Sequence, residues 1–191
     1  MSLVFDGSAN TIGGLAVGGL PDASVTSADL ASGVGGKTLQ VVSTTKTDTF
    51  STASTSQVDI TGFSVDITPS SSSNKVLITG TIMAGLSTNI PYAMRFYLMR
   101  GTTAICIADT ASNRSRCTFG TQGVYSTDTT YSFSFEFLDT PSTTSATTYK
   151  VQVQSENPMT IYINRSGGET DGDSSITPRF TSTITVKEIA P

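Results

Sequence analysis

The sequence predicts an all-β protein, an antiparallel two-sheet sandwich of the jelly-roll type, with an extended N-terminal arm and one short helix. Many short runs alternate apolar and polar residues, and no pattern typical of a long helix follows residue 36. The 191 residues include 33 Thr and 27 Ser. Thr favours strands and Ser favours turns. A chain of this length is sufficient for one domain with a core, plus an arm.

The clearest strands are residues 131–138 and 149–155, which a Pro-, Ser- and Thr-rich turn separates. In each run, aromatic or β-branched residues occupy alternate positions and therefore share one face. We expect the two rows to lie side by side and form cross-strand pairs. The rows are Tyr131, Phe133, Phe135 and Phe137 in the first strand, and Tyr149, Val151 and Val153 in the second.

The other strands follow one another from residue 37 onward. A change of phase at Gly62 predicts a bulge. Together with the two aromatic strands, the chain has nine to ten predicted strands. The remaining predicted strands are 37–45, 57–68, 75–86, 92–100, 103–109, 113–125, 159–164 and 179–189.

Residues 1–36 differ from the rest and form a predicted arm, while residues 37–191 form the predicted sandwich. Residues 12–21 are rich in Gly, and their pattern predicts neither a strand nor a helix. Residues 26–33 predict a short helix, with Thr26 as N-cap, Asp29 in its first turn and Gly33 at its end. So short a helix must pack on a neighbour. We therefore expect the arm's apolar residues to anchor the chain or join its copies: Ile12, Leu15, Val17, Leu20, Val25, Leu30 and Val34.

Composition argues against most enzyme classes and several kinds of partner. The chain has no His, which is the commonest general base and transition-metal ligand, so no Ser-His-Asp triad is possible. We predict no catalytic residues, no cofactor and no metal. A net charge of −4 argues against a nucleic-acid partner. No apolar run approaches the ~20 residues of a membrane span, and the N-terminus does not resemble a signal peptide.

An enzymatic alternative remains open, because a sandwich can carry paired carboxylates that cleave glycosides. Glu136, Asp139, Glu156 and Asp171 are the candidates, although their spacing does not single out a pair. The acidic loop 169–173 could supply oxygen ligands to Ca²⁺, but it lacks the EF-hand spacing, and a solvated turn is the favoured interpretation.

Surface ligand candidates are four tyrosines, Tyr92, Tyr97, Tyr125 and Tyr162, although ordinary sheet packing is the favoured interpretation. A second candidate is a basic patch of Arg95, Arg100, Arg114 and Arg116, for which salt-bridged surface is the favoured interpretation.

The two cysteines and two Asn-Arg-Ser triplets each have two possible interpretations. Cys106 and Cys117 are expected to be reduced, mostly buried thiols, with a disulfide as the alternative. The triplets Asn113-Arg-Ser115 and Asn164-Arg-Ser166 match the glycosylation pattern, but turn residues are the expected interpretation.

Two stretches carry a resemblance to a known family. Residues 5–31, from Phe5-Asp-Gly to Asp-Leu-Ala31, resemble the opening of short fibre-like virion proteins of tailed bacteriophages, especially those of aquatic bacteria and cyanobacteria. Residues 66–78, Asp66-Ile-Thr-Pro-Ser-Ser-Ser-Ser-Asn-Lys-Val-Leu-Ile78, with the later Arg100-Gly-Thr, resemble the β-sandwich head domains of the same proteins.

The resemblance implies a virion surface protein that is made in the cytoplasm of a host bacterium. Its arm would bind other virion proteins of the tail or capsid, and its head would point outward in a homotrimer. Most such proteins are tail fibres that contact a host-surface glycan or protein, and some are head fibres or capsid decoration (cement) proteins. This chain lacks the long shaft of a full tail fibre, which keeps the decoration alternative open. A secreted lectin is a further alternative.

Overall fold

The structure, a computed structural model, describes residues 4–6, 11–13, 37–88, 92–123, 126–168 and 177–191. The chain divides into two compact units, residues 1–36 and residues 37–191. In the first unit, β1 (Val4–Asp6) and β2 (Thr11–Gly13) pair antiparallel. The prediction of no strand was therefore wrong for Ile12 and Gly13. The predicted helix over residues 26–33 lies outside the described residues.

The described residues of the second unit contain strands and no helix, as predicted. Ten of these strands match predicted ones. The strand that the sequence did not predict is β4, whose three residues are too few to show a period. The strands are β3 (Thr38–Lys46), β4 (Phe50–Thr52), β5 (Val58–Ile67), β6 (Lys75–Leu86), β7 (Ala93–Arg100), β8 (Thr103–Ile105), β9 (Phe119–Gln122), β10 (Thr130–Asp139), β11 (Thr147–Ser155), β12 (Ile161–Ile163) and β13 (Ser182–Ile189).

Three strand positions of the sandwich are each built from two short strands in line. Strands β12 and β13 both pair with the same edge of β6, whereas β10 pairs with its other edge. Strands β4 and β3 continue this arrangement by pairing with β12 and β13. In the second sheet, β8 and β9 share one edge of β7 in the same way.

When these in-line pairs are counted as single positions, the unit has eight positions in chain order. The first sheet has the order 1-8-3-6, formed by β3/β4, β12/β13, β6 and β10. The second has the order 2-7-4-5, formed by β5, β11, β7 and β8/β9. All described pairings are antiparallel, and this order is that of a jelly roll, which confirms the predicted fold class.

The prediction that the two aromatic strands pair with each other was wrong. Strand β10 pairs with β6 in sheet 1, and β11 lies between β5 and β7 in sheet 2. The apolar rows of strands in either sheet face the same core between the sheets, so such a row does not specify which strand is the hydrogen-bonded neighbour. Alternation therefore predicted which side chains face inward, but not which strands pair.

The core lies between the two sheets and is closed at one edge by aromatic rings. Phe119 on β9 stacks on Phe96 and on Phe135, with ring centroids 5.2 Å apart in both pairs. Opposite Phe135 on β6 is Gly80, where a Cβ atom would lie 2.4 Å from the Phe135 ring. Glycine at this position lets the ring lie against β6.

The predicted bulge at Gly62 is also present. Lys150 of β11 pairs with Ser64, but Gln152 pairs with Asp59, so β5 contains extra residues at this point. Gly62 has a φ of 75°, a conformation that side-chain-bearing residues rarely adopt. The glycine thereby allows both halves of β5 to direct their apolar residues into the core.

A buried asparagine holds together the two in-line strand pairs of sheet 1. Asn164 is fully buried, and its Nδ2 donates to the carbonyls of Lys46 and Asp48, each at 2.9 Å. Its Oδ1 accepts from Ser182 Oγ at 2.6 Å, and its backbone N–H donates to Met83. One side chain therefore joins the β3–β4 break to the β12–β13 break. The Asn164 amide is buried and fully hydrogen-bonded, which agrees with the expected interpretation as a turn residue and not as a glycosylation site.

Replacing Asn164 by Ala should destabilise the second unit by about 3 kcal/mol, because the carbonyls of Lys46 and Asp48 and the buried Ser182 hydroxyl lose their partner. Asn113→Ala is the matched control, since Asn113 heads the other Asn-Arg-Ser triplet and is exposed. It should change stability by less than about 0.5 kcal/mol. Denaturant unfolding of both variants measures the difference, and equal effects would contradict the assigned role of Asn164.

A buried carboxylate fastens the serine-rich turn between β5 and β6. Glu188 on β13 is 1% exposed and accepts hydrogen bonds from Ser70 N at 2.6 Å, Asn74 Nδ2 at 2.5 Å and Gln40 Nε2 at 2.7 Å. Burial by itself raises the pKa of Glu188. The hydrogen bonds from Asn74, Gln40 and Ser70 outweigh burial and lower the pKa from 4.5 to about 2. The serine-rich turn is thus tied to β13.

This lowered pKa predicts how stability depends on pH. The folded state binds the Glu188 proton more weakly than the unfolded state does, so the carboxylate stabilises the protein above about pH 4.5. That contribution is lost as the pH falls towards about 2. The unfolding free energy of Glu188→Gln should be lower than wild type at neutral pH and converge with it in acid. Glu136→Gln, at an exposed glutamate, is the control, and a gap independent of pH would contradict the prediction.

Candidate binding surfaces

The candidate carboxylates are not brought together in the described part of the chain. Glu136 points outward from β10, into a shallow groove of about 440 Å³ whose other lining side chains are hydroxyl-bearing or apolar. Asp139 points inward, where it accepts bonds from Arg100 Nη1 at 3.0 Å and Tyr149 Oη at 2.7 Å. Burial and this bond to Asp139 raise the pKa of Tyr149. Glu156 follows β11 in the other sheet, and Asp171 lies outside the described residues.

The four candidate tyrosines have different surroundings. Tyr97 is 2% exposed, with its hydroxyl bonded to Gln154, which corrects the expectation that its ring is available to a ligand. Tyr97 occupies an outward-facing position of β7, as the alternation of residues in this strand indicates, but its side chain is buried. Tyr92 is half-buried and packs against the core. Tyr162 is half-buried, with the Arg165 guanidinium 4.1 Å from its ring centroid. Tyr125 lies outside the described residues.

Other predicted sites fall partly or wholly outside the described residues. Of the arm's seven apolar residues, Ile12 lies on β2, without a described side chain, and the other six are not described. They are Leu15, Val17, Leu20, Val25, Leu30 and Val34. The acidic loop 169–173 is likewise not described. Both cysteines are free thiols, as expected; Cys117 is half-buried, but Cys106 is exposed, which corrects its expected burial.

An apolar stripe crosses one end of the outer face of sheet 1. Leu138, Leu77, Lys187 and Val41 are adjacent in register across β10, β6, β13 and β3. Leu39 lies two residues before Val41 on the same strand. Leu138, Val41 and Leu39 are 47%, 56% and 42% exposed, and they are the large apolar side chains exposed among the described residues. Their common position on one face marks a surface suited to protein contact.

The sequence carries a signal for this stripe that alternation alone overlooks. Val41 is followed by Val42, and Phe137 is followed by Leu138. Because successive strand residues point to opposite faces, one member of each apolar pair must lie on the outer face.

A polar groove lies on sheet 2, at the end of β7 and β9. Its volume is about 470 Å³, and we call it the arginine groove. Arg95 on β7 supplies Nη2, which lies 2.9 Å from Glu156 Oε1. The other oxygen of Glu156 accepts from Ala93 N at 2.8 Å. The lining side chains are Arg95, Asn113, Arg114, Ser115, Gln122 and Glu156.

The wall of the groove comes from residues 106–118, which interrupt the strand position formed by β8 and β9. Thr118 anchors the base of this segment, because its Oγ1 accepts from Leu98 N at 2.9 Å and its N–H donates to Phe96 O at 2.9 Å. At Gly120, a Cβ atom would lie 2.2 Å from Met94 O, so glycine allows β9 to approach β7. These contacts place Gln122 and residues 113–115 around Arg95.

The four arginines of the predicted basic patch have different roles. Arg95 and Arg114 share the arginine groove. Arg100 pairs with buried Asp139, and Arg116 Nε donates to Ala108 O at 2.5 Å. Ion pairing is therefore confirmed for Arg95 and Arg100. The sequence did not predict that Asn113, Gln122 and Glu156 join this site, since they come from three separate segments.

No described helix is long and apolar enough to cross a membrane. Among the described residues, no group of three or more Cys, Asp or Glu side chains could hold a metal ion.

Comparison with known proteins identifies no relative: no protein-family model matches the chain, and no curated protein sequence matches it.

Proposed function

We propose that the chain is a structural protein of a bacteriophage virion, tail fibre-like, and not an enzyme. Residues 1–36 anchor it to other virion proteins, and the jelly roll binds a glycan or protein of the host surface. The protein acts at the virion surface, with further copies of itself as partners in a homotrimer. The resemblance of residues 5–31 and 66–78 to such proteins supports this assignment.

The observation that carries the proposal is the separation of two unlike surfaces on the two sheets. The apolar stripe lies on sheet 1 and exposes Leu39, Val41 and Leu138. Exposed apolar area of this kind suits lasting contact with another protein. The arginine groove lies on sheet 2 and is lined by charged and amide side chains. Open polar grooves suit reversible binding of a polar ligand, so one sheet could attach to the particle or a neighbouring copy while the other meets the host.

Weak binding at one groove is sufficient for host recognition when many copies are displayed. Simultaneous binding of several heads raises the overall affinity by orders of magnitude, without any new contact in each head.

A second candidate function is capsid decoration or a head fibre, which the apolar stripe favours. A stripe across an open sheet face could lie against a capsid subunit.

The copy number of the chain in purified particles, relative to the major capsid protein, tests the proposal. Tens of copies or fewer would favour the tail, and hundreds would favour capsid decoration. Leu138→Lys replaces an apolar side chain of the stripe by a second cation, in addition to Lys187, and should lower incorporation several-fold, because a further unpaired charge in a buried contact is costly. Ser132→Lys, at an exposed position on the same strand and face, should be incorporated normally.

Absence of the wild-type chain from purified particles would contradict the virion assignment. Normal incorporation after deletion of residues 1–36 would contradict their role as the anchor. Equal incorporation of the Leu138→Lys and Ser132→Lys variants would contradict the proposed role of the stripe as a contact surface.

A further inference from the structure

The arginine groove carries more positive than negative charge. It contains the guanidinium groups of Arg95 and Arg114 and the carboxylate of Glu156. This excess stands out on a chain whose net charge is −4. Glu156 is already neutralised by its ion pair with Arg95, at 2.9 Å. The charge left over is that of Arg114, so the groove suits an anionic ligand.

Arg114 is held in place by its backbone and leaves its side chain available. Its N–H donates to Ala111 O at 3.0 Å, which closes a turn in the segment between β8 and β9. The described residues give its guanidinium neither a hydrogen bond nor an ion pair. A planar guanidinium can bind a carboxylate through two parallel hydrogen bonds, so Arg114 is well suited to a ligand carboxylate.

The rest of the groove is suited to hydroxyl groups. Asn113 and Gln122 provide both donors and acceptors, and Ser115 provides a hydroxyl. Glu156 is fixed by Arg95 and by Ala93 N, so its oxygens keep one orientation as acceptors. A volume of about 470 Å³ lies at the small end of ligand sites and suits one or two sugar rings.

A small second pocket adjoins the arginine groove and shares Ala93, Arg95 and Gln122 with it. Its volume is about 190 Å³, and Cys117 and Gly120 contribute to a lining that is more apolar than that of the groove. A small apolar substituent, such as the methyl of an acetamido group, would fit here beside the sugar ring.

We propose that the arginine groove binds an acidic, N-acetylated saccharide. Arg114 binds its carboxylate, because the Arg95–Glu156 ion pair leaves the Arg114 charge as the excess charge of the groove. Asn113, Gln122 and Glu156 hydrogen-bond its hydroxyls, and its acetamido methyl enters the small pocket. This assignment rests on the proposed function and deepens it, since it names the class of host-surface glycan.

The test is a titration of the full ¹⁵N-labelled chain, followed by amide chemical shifts, with three monosaccharides. N-acetylneuraminic acid has the carboxylate and the acetamido group, glucuronic acid has only the carboxylate, and N-acetylglucosamine has only the acetamido group. N-acetylneuraminic acid should bind most tightly, with shifts at residues 113–115 and at Gln122. Its affinity should fall with added salt, because screening weakens the ionic contact.

Arg114→Gln should weaken binding of N-acetylneuraminic acid by about tenfold, because a charge-assisted bidentate contact is lost. Arg165→Gln is the matched control: it removes the same charge from a residue that follows β12 in sheet 1 and lies over Tyr162. That variant should bind like wild type.

Several results would overturn the assignment. They are absence of binding by N-acetylneuraminic acid, equal or tighter binding of N-acetylglucosamine, and equal effects of the two glutamine variants. Equal affinities for glucuronic acid and N-acetylneuraminic acid would contradict the proposed contact of the acetamido group with the small pocket. Each of these can occur while the chain is present in particles, so failure here is distinguishable from failure of the virion assignment.

Discussion

The structure of the jelly roll depends on how its broken strand positions are held in line. At the break between β12 and β13, Asn164 carries out this task with a fully buried amide. Its Nδ2 donates to two carbonyls of the neighbouring break, and its Oδ1 accepts from Ser182. Backbone carbonyls inside a fold need hydrogen-bond donors, and here one side-chain amide donates to two carbonyls. Sheet 1 therefore stays continuous although two of its four positions are interrupted.

The same kind of interruption has a different consequence in sheet 2. Between β8 and β9 the chain departs for residues 106–118, and Thr118 and Gly120 return it to the edge of β7. The departing segment closes upon itself, and Ala108 O accepts from Arg116. This segment does not cover Arg95 at the end of β7, so a groove remains there. One break is thus closed by a buried amide, and the other leaves a polar groove.

The fold class could be predicted because alternation and composition report on local structure. Strand β6 was predicted with its observed limits, and the bulge at Gly62 was visible as a change of phase. Pairing was not predictable, since the inward rows of β10 and β11 face the same core whether the two strands lie in one sheet or in opposite sheets. Tyr97 shows a related limit: its phase points outward, yet it is buried. The groove was not predictable either, because Arg95, Arg114 and Glu156 meet only after the sandwich has formed.

We propose that this jelly roll recognises the host surface on behalf of a particle. Competition between the purified chain and particles for adsorption to host cells tests this proposal. Host cells are first incubated with the purified full chain, and the particles left free in solution are then counted over time. The chain should occupy the host receptors and slow adsorption in a dose-dependent way. Unchanged adsorption at saturating protein, with the chain present in the particles, would contradict host recognition and leave a purely architectural role.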